Sequence, residues 1–188
     1  MPIQIGAKPQ ADFGDPMGLL TDCHRRIERF LGVLQKSTQL DQTRPLVSPE
    51  REIVENALRY FSTSAPRHTQ DEEESLFPRL RRSDSPSVQE ALNRIAVLEI
   101  EHNEADLLHA EVDRLFRVWL GQSALTEGQS QSLSQALDRL GELYEGHIAI
   151  EEAAVFPCAS AVLKADEKAS MGNEMALRRG LQPAYIQK

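Results

Sequence analysis

The sequence is poor in cysteine and contains no long apolar run. Only two of its 188 residues are cysteine, Cys23 and Cys158, and they lack the C-x-x-C spacing of a thiolate metal site. We expect free thiols in a reducing, cytoplasmic compartment, and a structural disulfide is the alternative. No apolar run reaches the roughly 20 residues that span a membrane, and the first residues lack the apolar segment of a secretory signal. We therefore expect no membrane partner.

Basic residues are also in the minority. The chain carries 29 acidic and 21 basic residues, which gives a formal net charge of −8 at pH 7. Binding to a phosphate backbone needs a basic face, so we expect no nucleic acid partner. A chain of this length can bury about 70% of its unfolded surface, which is enough for one domain with a substantial core. Charge and length leave the oligomeric state open.

Strand-like alternation of apolar and polar residues is absent as well, whereas apolar residues recur at helical spacing. Each of four predicted helices has its own start signal, either Asp or Ser before proline, or a capping box. The signals are Asp15-Pro16, Ser48-Pro49, Ser85-Pro86, and Thr126 with Gln129. The pattern predicts an all-α protein, an antiparallel up-down four-helix bundle with a short C-terminal helical tail.

Prolines mark further breaks in the predicted helices. Pro66 predicts a kink or a break in the second helix, because proline lacks the N–H that a helix interior requires. Pro78 and Pro157 predict bends or ends of the second and fourth helices, and we expect the Phe-Pro pair at each place to close the bundle end. Three segments are predicted along the chain: an N-terminal arm at 1–14, the bundle at 15–180 and a C-terminal tail at 181–188.

One pattern occurs twice: a histidine, a glutamate four residues later, and a Phe-Pro pair five residues after the glutamate. The copies are His68, Glu72 and Phe77-Pro78, and His147, Glu151 and Phe156-Pro157. Their histidines are 79 positions apart (147 − 68), and two further histidines, at positions 24 and 102, are 78 apart (102 − 24). A motif pair that repeats with its spacing kept indicates a site built from two similar halves.

The spacing suits a metal site in a helical protein. Histidine and glutamate at i and i+4 lie on one helix face. Two histidines and a carboxylate at one level can hold a divalent metal, and two such sets can hold two metals, with Glu72 and Glu151 able to bridge them. Nitrogen and oxygen donors suit iron, zinc or manganese.

The depths of the histidines in their helices test whether they can meet. His24 lies nine residues after its predicted N-cap (24 − 15), and His68 and His147 lie nine residues before the predicted helix ends (77 − 68, 156 − 147). Nine residues correspond to about 13 Å, so these three coincide in an antiparallel bundle. His102 lies 17 residues after its N-cap (102 − 85), so the third helix has to extend beyond the others by about two turns.

Four other polar residues are candidates for a supporting role. Glu28 and Asp106 each follow a histidine of the set by four residues, and either binds metal or orients a ligand; we favour orientation for both. We expect His109 to be a buried, neutral residue of a second layer. Tyr144 lies one turn before His147 and either donates a hydrogen bond to an oxygen ligand or only packs.

Three acidic residues lie beside Glu72: Asp71, Glu73 and Glu74. We expect most of this run to be a solvated face, since charge runs in helices are usually exposed. Cys23 and Cys158 are expected to be structural thiols.

At these residues the chain resembles the hemerythrin-like family, or HHE cation-binding domain. The family pattern is a histidine on the first helix, H-x-x-x-E with Phe-Pro on the second, a histidine on the third and H-x-x-x-E on the fourth. The resemblance covers about residues 16–180, including a closing stretch at 172–180 that is similar to a tail of bacterial members. It implies a non-haem di-iron centre with a bridging oxo or hydroxo group. The implied ligands are His24, His68, Glu72, His102, His147 and Glu151.

One departure from the family pattern affects the expected function. Oxygen-carrying hemerythrins have H-x-x-x-H on the third helix, and this chain has Asp106 at the second position. We therefore expect binding or sensing of oxygen, nitric oxide or peroxide, or iron handling, rather than oxygen carriage. A di-iron oxidase, a peroxidase or an iron-donating repair enzyme is the catalytic alternative. A structural bundle whose histidines only form hydrogen bonds is the third hypothesis.

Overall fold

A computed structural model describes residues 11–121 and 124–182 of the chain. Within these ranges the regular structure is entirely helical, without strands, which confirms the all-helical class predicted from the sequence. No helix there is both long enough and apolar enough to cross a membrane. The predicted arm at 1–14 lies outside the described residues up to residue 10, and the predicted tail at 181–188 lies outside them from residue 183.

Eight α-helices and two π-helical turns form the described chain. The first half contains α1 (Pro16–Ser37), α2 (Ser48–Thr63), α3 (Ala65–Gln70), the first π turn (Asp71–Leu76) and α4 (Phe77–Arg81). A short 3-10 turn at Pro86–Val88 then precedes the second half. The second half contains α5 (Gln89–Gly121), α6 (Glu127–Ile150), the second π turn (Glu151–Val155), α7 (Phe156–Val162) and α8 (Ala165–Arg178).

The helix starts follow the predicted chemistry closely. The Asp15 side chain accepts a hydrogen bond from the backbone N–H of Gly18 and so caps α1. Thr126 and Gln129 form the reciprocal capping box of α6. The break predicted at Pro66 is also confirmed, because α2 ends at Thr63 and α3 restarts with Pro66 in its first turn. Proline is tolerated there since no intrahelical partner exists for its missing N–H.

The predicted helix ends at the two Phe-Pro pairs are wrong. Helical structure continues past Pro78 to Arg81 and past Pro157 to Val162. A phenylalanine separates each proline from a π turn, and the N–H of this phenylalanine bonds a carbonyl five residues back. The wider turn changes the local relation between the proline ring and the preceding carbonyls, which is what normally breaks a helix.

The buried apolar residues form two separate clusters. One contains Leu34, Trp119 and Leu137, and the other contains Leu20 and Phe77. Along the chain, each of the four histidines lies between a member of one cluster and a member of the other. Leu20 and Ile27 flank His24, Ala65 and Leu76 flank His68, Leu98 and Ala105 flank His102, and Leu143 and Val155 flank His147. The histidines thus separate two apolar cores.

Helix α8 is anchored to the first π turn. The Asp71 carboxylate is fully buried and pairs with both Arg178 (Nη1–Oδ1 2.9 Å) and Arg179 (Nη2–Oδ2 2.7 Å). Asp71 is therefore an exception to the solvated face expected for most of this acidic run, because two arginines about a hundred residues away cover it. Gly172 of α8 lies against the carbonyl of Phe13, where a Cβ would collide with the backbone.

We predict that Asp71 contributes strongly to stability. Asp71→Ala removes the buried carboxylate that both arginines share and leaves Arg179 without a carboxylate partner among the described residues, and it should lower the free energy of unfolding of the metal-free protein by about 3 kcal/mol. Glu74→Ala is the matched control, since the Glu74 side chain is 58% exposed and among the described residues pairs only with Arg178, so its loss should cost below about 1 kcal/mol. Urea titration of both variants measures the difference, and equal losses would contradict the burial argument.

Candidate metal centre

Six buried side chains converge between the two apolar cores. Their ligand atoms form two groups of four, and within each group these atoms lie within 4.8 Å of one another. The groups are His24, His68, Glu72 and Glu151, and Glu72, His102, His147 and Glu151. The two groups share both glutamates. The structure therefore brings together the six residues that the repeated motif indicates, while their role as metal ligands stays a prediction.

Each histidine directs its Nε2 atom towards one of the shared glutamates. Glu151 faces one histidine of each group, and so does Glu72. The distances are 3.0 Å from His24 and 3.5 Å from His147 to Glu151, and 3.2 Å from His68 and 3.5 Å from His102 to Glu72. Because each glutamate contacts a histidine of both groups, the two groups share their carboxylates and form one continuous site.

The π turns explain how one helix presents both a histidine and a phenylalanine to the interior. His68 and Phe77 are nine residues apart (77 − 68), which is two and a half turns of a regular α-helix, so they would face opposite sides. Both are buried, because the first π turn lies between them and shifts the phase of the helix. The second copy repeats the arrangement with His147 and Phe156. Such turns are rare and are found frequently at functional sites.

The phenylalanines of the Phe-Pro pairs pack on the histidines. The Phe156 ring stacks on His24 with centroids 5.3 Å apart, and the Phe77 ring is parallel to His102 at 6.3 Å. We expected these pairs only to close the bundle end and turn the chain. They instead cover one side of the centre and restrict the orientation of two imidazoles.

Outer carboxylates hold three of the four histidines through Nδ1. Glu152 contacts His24 at 2.9 Å, Glu73 contacts His102 at 2.8 Å, and Glu101 contacts His147 at 2.9 Å. A carboxylate at Nδ1 favours a proton on that nitrogen and leaves the Nε2 lone pair for the centre. Sequence reasoning missed these residues and placed Glu73 on a solvated face. Each of them is the chain neighbour of a predicted ligand, which is the signal that would have found them.

The donor set fits a cation. Both oxygens of Glu72, both oxygens of Glu151 and Nε2 of His24 are buried without a hydrogen-bond partner in the described part of the chain. Such atoms are costly in a protein interior unless a cation or a donor meets them. Burial, together with the neighbouring Glu151, raises the pKa of Glu72 well above its usual range. The six residues thus have the buried, unpaired donors that a divalent ion requires.

The contact between two of the histidines leads to the same conclusion. Nε2 of His102 and Nε2 of His147 are 3.1 Å apart. Because each ring faces a carboxylate through Nδ1, a neutral ring keeps its proton on that nitrogen, and two neutral rings would direct their Nε2 lone pairs at each other across this gap. A cation between or beside the two nitrogens removes the repulsion.

One side of the centre opens on a small cavity of about 40 Å³. Its wall includes all four histidines together with Asp106, His109 and Tyr144. His109 Nε2 and the Tyr144 hydroxyl are 2.9 Å apart, and burial lowers the pKa of His109 to about 4, so the ring is neutral at neutral pH. A second cavity of about 290 Å³ shares Phe61 with it, as well as Asp106 and His109.

Two predicted supporting residues lie further out than expected. Asp106 is exposed and belongs to neither group of four, although it borders the cavity. Glu28 is also exposed and pairs with Arg25 at 3.0 Å. The contact to His24 that we expected of Glu28 is made by Glu152, since the second π turn carries Glu152 over that ring. Cys23 and Cys158 are both free thiols.

The helical fold and the buried layer of histidines and glutamates are those of a helical protein with a candidate cation-binding site. The family model "Hemerythrin HHE cation binding domain" matches residues 15–159. The chain belongs to this family, as its motifs indicated. It is also similar to a protein of Haemophilus influenzae (strain ATCC 51907 / DSM 11121 / KW20 / Rd) that bears the name "Uncharacterized protein". The two are 26% identical over 170 residues, which are 90% of this chain and 92% of that protein.

We predict that His109 makes the metal-free protein less stable in acid. Its pKa is about 4 in the folded protein and near 6.5 when unperturbed, so between these values the unfolded chain binds a proton that the native state does not. Stability therefore falls as the pH decreases through this window. From about pH 7.5 to about pH 5 the wild type should lose about 2 kcal/mol more than His109→Gln, as measured by urea unfolding. Parallel losses in the two proteins would refute the assignment.

Proposed function

We propose that the protein is a non-haem di-iron protein that binds or senses a small ligand such as oxygen, nitric oxide or a peroxide. The observation that carries this proposal is the pair of interlocked donor groups beside a cavity of about 40 Å³. Room for a single water requires on the order of 10–15 Å³, whereas sites for organic ligands occupy roughly 300–1,000 Å³. The size of the cavity thus favours a molecule of a few atoms.

The shared glutamates support two ions rather than one. Glu72 and Glu151 each face one histidine of either group, which is the placement of a carboxylate that bridges two metals. Two imidazoles and two shared carboxylates are a mixed nitrogen and oxygen set that suits iron, with zinc and manganese as substitutes. Iron supplies the capacity to bind and reduce small oxygen or nitrogen ligands. Bound ions would be held by the six residues of the two groups.

The proposal includes an antiparallel up-down arrangement of the four long helical stretches. In α1 and α5 the chain passes from the apolar cluster that contains Leu20 and Phe77, through the histidine, to the cluster that contains Leu34 and Trp119. In α2–α3 and in α6 it passes in the opposite order. This alternation supports a bundle in which neighbouring stretches run in opposite directions and all four histidines lie at one level.

Residues of the chain control what reaches the ions. The Phe77 and Phe156 rings exclude water from one side, and the outer carboxylates fix the imidazoles. On the cavity side, His109 and Tyr144 hold one hydroxyl proton between them next to the position that a ligand would take. Asp106 borders this side without joining either group, so we propose that it tunes access rather than binds metal.

The first test is metal loading. Anaerobic addition of ferrous iron to the metal-free protein should give two irons per chain, and the melting temperature should rise because the ion binds only the native state. Nitric oxide or peroxide should then change the optical spectrum. A protein that retains no transition metal, or whose melting temperature stays the same, would contradict the proposal and favour the purely structural bundle.

Glu72→Ala separates metal binding from folding. The variant removes a buried carboxylate that has no hydrogen-bond partner among the described residues, so the metal-free protein should be as stable as the wild type or more stable. It should nevertheless lose both irons and the spectral response. Glu74→Ala removes an exposed carboxylate two residues away and should retain them. Sustained consumption of peroxide with a reductant by wild type alone would point to the catalytic alternative.

A further inference from the structure

The two halves of the centre differ in one hydrogen bond. Three of the four histidines have a carboxylate at Nδ1, whereas Nδ1 of His68 is buried and has no hydrogen-bond partner within the described ranges. The counterpart of His68 in the repeated motif is His147, which contacts Glu101 at 2.9 Å. The group with His102 and His147 thus has two outer carboxylates, and the group with His24 and His68 has one.

The sequence shows where the repeat is broken. Glu101 directly precedes His102, and the residue 78 positions earlier (101 − 23) is Cys23, which directly precedes His24. Cys23 is buried, and a thiol is only a weak hydrogen-bonding group compared with a carboxylate. The carboxylate that supports His147 therefore has no equivalent on the side of His68.

A nearby arginine increases the difference. Glu152, the outer carboxylate of His24, also pairs with Arg25 at 2.6 Å. The positive charge competes with the imidazole for the carboxylate and adds repulsion to a cation on that side. Among the described residues, neither Glu73 nor Glu101 has an arginine or lysine within ion-pair distance. In the group with His102 and His147, no arginine or lysine of the described residues therefore competes with the histidines for the outer carboxylates.

We propose that the two cation positions are unequal, so that a divalent transition-metal ion fills the group with His102 and His147 first and the group with His24 and His68 second. The proposal rests on the proposed two-metal centre. Outer carboxylates orient a metal-bound imidazole and raise its basicity, and loss of one typically lowers metal affinity about 10- to 100-fold. The dissociation constants of the two steps should differ by a factor of this order. The ion in the group with His24 and His68 should therefore exchange with free ions in solution more readily than the first.

Anaerobic calorimetric titration of the metal-free protein with ferrous iron tests the order. The wild type should bind in two steps that differ about 10- to 100-fold in dissociation constant. Glu101→Gln keeps a hydrogen-bonding group at His147 but removes its charge, so the first step should weaken and the two steps should converge. Glu152→Gln should weaken only the second step and separate them further. Both side chains are about a quarter exposed, so the variants should fold, as circular dichroism can verify.

Glu104→Gln is the matched control on the same helix as Glu101. Glu104 pairs with Arg139 on the surface, and its replacement should change neither step. Two steps of equal affinity in the wild type would overturn the inference, as would a Glu101→Gln variant with an unchanged first step. Binding of fewer than two ions by the wild type would instead refute the two-metal centre itself, so the two failures are distinguishable.

Discussion

Two glutamates stand fully inside the protein, with no hydrogen-bond partner for their carboxylate oxygens among the described residues, and this placement imposes conditions on everything around them. Glu72 and Glu151 are shielded from solvent, so four imidazoles face them and the unpaired donors are those that a cation requires. Three of these imidazoles are in turn held by outer carboxylates at Nδ1, which favour one tautomer. Charge inside the protein is thus compensated in successive layers, and on the side of His24 the outermost layer reaches the surface, where Arg25 meets solvent.

The π turns are what allow the layers to coexist with two apolar cores. A regular helix cannot direct a histidine and a phenylalanine nine residues later to the same interior. Each π turn shifts the helix phase between them, so the histidine faces the centre while Phe77 or Phe156 packs in the apolar core next to it. The same shift places Glu152 over His24 and tolerates the prolines that follow. The geometry of the site therefore requires the two π turns.

Much of the centre could be predicted because the information is local. The repeated spacing of His68, Glu72 and their counterparts, the caps at Asp15 and Thr126, and the break at Pro66 depend only on nearby residues. The helix phase after a π turn could not be predicted from nearby residues, since it depends on the packing of both cores. For this reason the ends assigned at the two Phe-Pro pairs were wrong. Burial of Asp71 was missed because it depends on arginines more than a hundred residues away.

The partners of Asp71 lie outside the segment that the family model matches. The family match ends at residue 159, yet Arg178 and Arg179 lie beyond it and hold the residue next to Glu72. The family model alone would place the boundary of the functional unit before α8. A chain shortened to the matched region would keep all six donors and lose the support of one of the turns that aims them. The contacts that support the candidate metal centre therefore extend beyond the segment that the family model covers.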